Sequence, residues 1–430
     1  MGVNRGMRSV LLKGPIYSRS GYGEHVRCVF RALQTRPDLY DVYIEPTVWG
    51  TTSWSYKDNE ENEAIKRCIM KREHAGAGFK ANVSLQVMIP NEWQPLAEKN
   101  IGVTAGIETD RASAQWVHAC NQVDHVVVVS NHAKDVFLKS KHSGRDPNTG
   151  TEVLLKCENT IDVIGYPVKT IEPSPIDLDI STKFNFLTVA QAGPRKCLDA
   201  TVRWFAEEFK NDEDVGLIIK TNLANNSTPD RHNILVQIKQ WIAQIEDKKC
   251  KVYLLHGNLS DEEIHYLYNN DFVKAYVTTT HGEGFGLPIY EAAYSGLPVI
   301  APAWSGHVDF LYKTYQKKNG RTDKKCLFNK VKYELQNVQE NVLWENVIIP
   351  ESKWAFSDEK SFKKVMRNVY ETHGHKLKMA EELKDHLLEN NTEEKIQEKY
   401  VDMINKVYPP EVFEVADWLK EIEKNLEDNE

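Results

Sequence analysis

Apolar positions along the chain come in short unbroken runs, separated by stretches in which they recur every three or four residues. Runs at 8–14 (RSVLLKG), 41–45, 83–89, 101–104 and 125–129 have the length and content of buried strands, and the spaced stretches between them predict helices. His25, Val26, Val29, Phe30 and Leu33 share one helical face. A helix is therefore expected to open near Glu24, with His25 packed or capping. Strands alternating with helices over the first ~170 residues predict a parallel, doubly wound sheet. The plan returns at 184–190, 215–221, 251–255, 275–278 and 297–301, and from 361 onward the chain reads as charged amphipathic helix. Prolines at 167, 173 and 175 mark a linker between the halves. Three polar connections, 51–77, 139–150 and 313–325, read as loops; the first, with Trp54 in it and Trp49 beside it, is either an acceptor surface or a plain solvated loop.

Composition narrows the class. A chain of 430 residues exceeds one ordinary core, so two domains are expected. With 41% hydrophobic and 27% charged residues it has the make-up of a globular, water-soluble protein. No apolar run approaches the ~20 residues of a membrane span, and the polar start followed by Val10-Leu11-Leu12 does not make a signal peptide; stable membrane insertion is not expected. Seven scattered cysteines without a C-x-x-C pair suit free thiols in a reducing cytoplasm. The net charge of −8 offers no global attraction to nucleic acid, so such a partner needs a local patch. The basic run KTYQKKNGRTDKK (313–325) supplies one, with Lys317, Lys318, Arg321 and Lys324 as candidate DNA contacts; the alternative is a solvated loop.

The richest stretch is 281–310, HGEGFGLPIYEAAYSGLPVIAPAWSGHVDF. It reads as a glycine turn after a strand, then a helix, then a buried strand. Gly284 and Gly286 let backbone approach a ligand, and Pro288 suits a first helical turn. The helix then offers free N–H groups and the positive end of its dipole to an anion. Glu283 and Glu291 bracket the turn, seven residues apart in between, the second on the helix's first turn. Carboxylates there would repel the anion, so they are expected to accept hydrogen bonds from neutral hydroxyls. A sugar nucleotide carries both features. Arg195 and Lys196 stand where another helix begins, a placement that is unfavourable without an anion and points to a diphosphate. Glu108 follows a strand whose C-terminal end faces the cleft in this class of fold; it either orients or deprotonates an acceptor hydroxyl or caps a helix. Ser130 starts a further helix that His132 could cap. Asp177 and Asp179 form a D-x-D, read as surface charge because it lies in the linker.

Glu283-Gly-Phe-Gly-Leu-Pro-Ile-Tyr-Glu291, followed by Ala-Ala-Tyr-Ser-Gly296-Leu-Pro-Val-Ile, resembles the E-x7-E signature of retaining glycosyltransferases of family 4, which have the GT-B fold. The resemblance implies an α/β chain of two Rossmann-like doubly wound domains facing across a cleft. The division here is an acceptor domain at 1–170, a linker at 171–182, a nucleotide-sugar domain at 183–390, and helices at 391–430 crossing back to the first domain. It implies retaining transfer from a nucleotide sugar, expected to be a UDP-sugar, with no metal and no cofactor beyond that co-substrate. By the same resemblance Gly21 and Gly23 lie near the donor phosphates, Lys220 and His256 border the donor, and Gly284, Phe285, Gly286 and Leu287 bind it. Arg195 and Lys196 attend the leaving diphosphate, Glu283 the sugar hydroxyls and Glu291 the ribose. The chain departs from the pattern in having Glu108 where many relatives have histidine, and Cys197 where glycine usually follows the basic pair.

The opening LLKGPIYSRSGYGEHVRCVFRAL, the segment 104–109 and Trp304-Ser-Gly-His resemble glycosyltransferases of tailed bacteriophages, several of which modify hydroxylated pyrimidines in DNA. Double-stranded DNA with hydroxylated bases is therefore one expected acceptor, and a glycan, polysaccharide or lipid the other. The expected location is the cytoplasm, the host's if the chain is phage-encoded. A carboxylate-pair glycoside hydrolase or phosphorylase is the competing enzyme class; its carboxyls need only face each other at ~5–10 Å across a sugar, which leaves the phosphate-binding helix unused. A non-catalytic carbohydrate- or DNA-binding module leaves the basic pair and Glu283 unused.

Overall fold

In the computed structural model the described residues are 7–50, 52–145, 150–317 and 319–409. The first half builds strands β1 (Arg8–Gly14), β2 (Tyr40–Pro46), β3 (Ala81–Val87), β4 (Ala97–Thr104) and β5 (His125–Val128), the hairpin β6 (Lys141–Arg145) and β7 (Glu152–Lys156), and β8 (Ile161–Val163). Helices α1 (Gly21–Gln34), α2 (Glu60–His74), α3 (Ala114–Cys120) and α4 (Asn131–Lys139) lie between them. Six of the strands pair in the order β2-β1-β3-β4-β5-β8, all parallel. Their apolar runs are unbroken because both faces of a parallel sheet are covered by helices.

The second half repeats the scheme with β9 (Phe184–Val189), β10 (Val215–Lys220), β11 (Lys251–Leu255), β12 (Val273–Val277), β13 (Val299–Pro302), the hairpin β14 (Tyr312–Gln316) and β15 (Thr322–Cys326), and β16 (Asn329–Val331). Helices α5 (Leu198–Glu208), α6 (Thr228–Trp241), α7 (Asp261–Asn269) and α8 (Leu287–Tyr294) connect them. The sheet order is β11-β10-β9-β12-β13-β16. The order reverses between β9 and β12, and at such a switch point the loops leaving the two strands diverge and open a crevice. Those two loops carry Arg195 with Lys196 and Glu283.

A second hairpin, β17 (Tyr333–Asn337) with β18 (Lys353–Ser357), and helices α9 (Glu359–Glu371), α10 (His373–Asn390) and α11 (Glu393–Val407) complete the described chain. Leu383 and Leu387 of α10 pack with Tyr290, Tyr294 and Phe310 of the second half. After Asn391 the chain changes sides: Ile396, Tyr400, Met403 and Ile404 join the first half's core with Val26, Val29, Phe30 and Leu33. The Tyr400 hydroxyl meets His25 Nε2 at 2.8 Å, and Arg8 donates to the Tyr408 carbonyl and to Asn405 Oδ1, each at 2.7 Å. The two segments that cross between the halves touch, Val168 N donating to the Asn391 carbonyl at 2.8 Å.

Several expectations change. Helix α1 opens at Gly21 rather than near Glu24, because the Ser20 side chain accepts from Gly23 N. Glu291 lies one turn inside α8 rather than on its first turn, since that helix opens at Leu287. Connection 51–77 holds the helix α2, capped by Asn59; its low apolar content had hidden it. The stretches 139–150 and 313–325 form antiparallel hairpins in place of loops, with 146–149 and Lys318 outside the described residues. Ser130 caps α4, whereas His132 reaches the Thr109 carbonyl at 3.2 Å and its ring packs against Trp304. The residues 410–430 of the expected crossing helices also lie outside the described set.

Helix α11 is held by buried apolar surface together with the polar contacts of Tyr400 and Asn405. Ile404→Ala, at a position with 0% exposure, is expected to cost about 2–5 kcal/mol, read as a lower urea midpoint at an unchanged slope.

Candidate active site

Glu283 sits on the loop that leaves β12. Its backbone is fixed before its side chain does anything: Glu283 N donates to Ser305 Oγ at 2.9 Å, and Gly306 N donates to the Glu283 carbonyl at 2.8 Å. Ser305 achieves this at φ 83, a conformation that costs a non-glycine residue roughly 1–3 kcal/mol and is tolerated where the surroundings enforce it. The glycines nearby are there for space. A Cβ on Gly284 would lie 1.9 Å from the Ala105 carbonyl oxygen, and one on Gly282 2.0 Å from that of Glu108. One on Gly306 would meet the Gly284 carbonyl at 1.9 Å. Three backbone layers, one of them from the first half, are thus stacked without side chains between them.

The Glu283 carboxylate is buried and receives three donors. Arg195 Nη1 is 3.0 Å away, Lys196 Nζ 2.5 Å and Thr280 Oγ1 2.8 Å. Burial alone would raise this carboxyl; Lys196, Arg195 and Thr280 outweigh it and hold it well below the usual carboxylate range. Arg195 also donates to the Gly282 carbonyl at 2.6 Å and lies 3.7 Å from Glu108 across the cleft. Burial opposes its charge, but Glu283 and Glu108 keep it raised. Lys196 ends lower than usual, because burial and the adjacent guanidinium outweigh Glu283. The basic pair occupies a short turn, Pro194–Lys196, and α5 follows only after Cys197 at φ 48. The expected unpaired cations at a helix start are therefore a compensated cluster, two cations against Glu283 and Glu108.

Helix α8 starts at the same loop, with Gly286 at φ 93 as its N-cap and proline in its first turn. No side chain caps it. Gly21 stands opposite, where a Cβ would come within 4.0 Å of the Leu287 side chain, and Gly23 is pressed onto the Ser18 carbonyl. Phe285 is interior, its ring tilted or edge-on against Tyr166, Tyr290 and Phe310. One turn along α8, Glu291 is half-buried beside Lys169 and Tyr268, and desolvation pushes its carboxyl up to about 7 against the opposing pull of Lys169. Lys169 in turn pairs with Glu24 of the first half at 2.9 Å. Lys220 donates to the Gly257 carbonyl at 2.8 Å and is lowered to about 8 by burial and by Arg19. His256 does not face the cleft; it is turned inward onto Asp230 at 2.8 Å.

The basic run stands apart from this cluster. Lys317 pairs with Asp323 at 2.5 Å and Lys325 with Glu382 at 2.6 Å, while Arg321 is exposed at the hairpin tip. Asp177 and Asp179 are exposed. Among the described residues no group of three potential metal ligands converges, and no helix is long and apolar enough to cross a membrane.

Sequence reasoning missed a strap. From the hairpin β17–β18, residues 338–352 reach the first half, where Ser113 Oγ donates to the Asn346 carbonyl at 2.6 Å. Asp110 and Lys353 exchange backbone and side-chain hydrogen bonds at 2.9 and 2.6 Å. The next residues grip the loop that carries Glu283: Trp354 stacks on His281, whose Nδ1 lies 2.7 Å from the Ala355 carbonyl. The alternating KWAFS of β18 was the available signal.

Residues 178–320 match the family model described as Glycosyl transferases group 1, a span that holds Arg195, Lys220, Glu283 and Glu291. No curated protein sequence matches the chain. Among solved structures, HepE from Anabaena in complex with UDP-glucose superposes with a TM-score of 0.57 at 12% identity, covering 93% of this chain and 100% of that one. Sucrose-phosphate synthase from Thermosynechococcus elongatus gives 0.57 at 12%, covering 93% and 99%. TarM from S. aureus is 17% identical with a TM-score of 0.47, covering 75% of this chain and 55% of that one; the chain thus spans about half the length of TarM. The fold is GT-B, and the matched domain with this fold supports a glycosyltransferase.

Two measurements probe the cluster. Gly284→Ala drives a methyl into the Ala105 carbonyl and should part the domains; small-angle scattering is expected to show a larger radius of gyration with far-ultraviolet circular dichroism unchanged. Glu291, raised when folded, favours the folded state most below pH ~4.5 and loses that contribution as pH rises through about 7. Glu291→Gln should consequently gain in Tm over the parent, by several degrees, between pH 5 and pH 8.

Proposed function

We propose that the chain is a retaining, metal-independent glycosyltransferase that moves a sugar from a UDP-sugar to a hydroxyl acceptor. The observation that carries the reading is Glu283 held between Arg195 and Lys196 at the switch point, beside the open start of α8. The UDP choice follows HepE, whose structure holds UDP-glucose. The donor diphosphate faces α8 and the basic pair, so fixed cations and dipoles take the charge that develops on the leaving group. Glu283 accepts from the sugar hydroxyls and Glu291 from the ribose. The acceptor oxygen attacks the anomeric carbon from the face the diphosphate leaves, the carbon–oxygen bond to phosphate breaks, and the acceptor proton passes to the departing phosphate oxygen. Glu108, bound to Arg195, steadies that guanidinium and orients the incoming hydroxyl. Free cysteines throughout suit a cytoplasmic setting.

Between the two acceptors, the ion pairs of the basic run favour a glycan. Non-specific DNA affinity needs several cations free to neutralise phosphates, and Lys317 and Lys325 are already matched. Duplex DNA with hydroxylated cytosines belongs in the same assay as the competing acceptor.

With purified protein, nucleotide sugars and an acceptor panel followed by mass spectrometry, Arg195→Ala and Lys196→Ala should each lower kcat roughly 10²–10³-fold with the acceptor KM little changed. Failure of every nucleotide sugar to bind the parent protein would sink the reading.

A further inference from the structure

A cavity of about 320 Å³ opens between the halves, lined by Asn131, Val308, Asp309, Tyr312, Thr314 and Lys324. It draws on both domains, and its volume sits at the small end of the ~300–1,000 Å³ range of ligand sites, room for one or two sugar rings. One loop joins it to the reacting centre. Ser305 and Gly306 hold the Glu283 backbone, and a few residues further on the same loop supplies Val308 and Asp309 to the cavity. Trp304 of that loop packs on His132, the neighbour of the lining residue Asn131.

The lining is polar and balanced. Asp309 already fills the anion position at the start of α4, accepting from Asn131 N at 2.5 Å and from its side-chain amide at 3.2 Å. Lys324 faces this carboxylate and has no ion-pair partner among the described residues. One carboxylate, one ammonium, an amide and two hydroxyls leave no net charge for a phosphodiester to neutralise, and an extruded base would bring its phosphates onto Asp309. A neutral polyhydroxylated ring, with many weak donors and acceptors, matches each of these groups.

Resting on the transferase reading, we propose that this cavity is the acceptor subsite and that it takes an uncharged sugar ring of a glycan. Lys324 then recognises hydroxyls instead of DNA. Thr314 is exposed on β14 and outside the donor machinery, so Thr314→Trp can fill the cavity on a strand that tolerates aromatics.

The test is saturation-transfer NMR with methyl glucoside, galactoside, mannoside and N-acetylglucosaminide, alongside calorimetry with UDP, GDP and ADP on the same samples. At least one methyl glycoside should bind the parent protein, and bind Thr314→Trp and Lys324→Ala roughly tenfold more weakly, while nucleotide affinity is unchanged. No glycoside binding, or binding indifferent to Thr314→Trp, overturns the subsite. Competition by a duplex carrying hydroxylated cytosines, lost in the same variants, overturns the glycan. Loss of nucleotide binding in the parent protein strikes the transferase reading itself, an outcome the calorimetry keeps separate.

Discussion

The arrangement depends on three backbones meeting with nothing between them. Ala105 and Glu108 carbonyls of one domain, the 282–284 turn of the other and Gly306 behind it stack at distances that admit no Cβ. Side chains on these glycines would hold the halves apart, and a gap there would place Glu108 and Arg195 beyond each other's reach. The glycine-rich turn thus acts as a spacer of minimum thickness, setting how narrow the cleft is. The strap 338–352, bonded to Ser113 through Asn346, and β18 behind it, bonded to Asp110 through Lys353 and to His281 through Ala355, brace the same junction.

Within that narrow space charge is managed by pairing. A lone buried carboxylate or ammonium would be costly; Lys196 and Arg195 keep Glu283 ionised, Glu283 and Glu108 do so for Arg195, and Glu283 offsets part of what burial and Arg195 take from Lys196. On the proposed reading, a donor diphosphate would meet cations already held by Glu283 and Glu108. Preorganised groups of this kind need little rearrangement when charge develops. Beside Glu291, on the far side of α8, the first domain's own pair Glu24–Lys169 does the equivalent, Lys169 facing Glu291 from the other half.

How much of this the sequence disclosed follows from range. The strands of both sheets are local patterns, unbroken apolar runs with glycine or proline at their ends, and they are visible without any partner. The spacing from Glu283 to Glu291 is likewise local. What stayed hidden is long-range. Lys196 and Glu283 are 87 positions apart, so the cations looked unpaired although their carboxylate had already been singled out for another reason. His256 read as a cleft residue because Asp230, its actual partner, belongs to a different connection. Helix α2 and the hairpin at 313–325 are stabilised by capping, ion pairs and register more than by apolar faces, and periodicity is blind to those. Chain length and the repeated strand–helix plan already pointed to two domains; the GT-B resemblance supplied their facing arrangement and the crossing of α11, which did not come from the residues of that helix.

That crossing bears on the order in which the protein is made. The apolar face of α1 is closed by Ile396, Tyr400 and Ile404, residues encoded after the whole second domain. During synthesis the first domain emerges early yet stays unfinished, the side of α1 that α11 covers remaining open to water until that helix, the last among the described residues, has left the ribosome. Domains usually mature in the order of translation; here the first to appear is the last to be sealed, and the nascent chain carries a sticky surface for the duration.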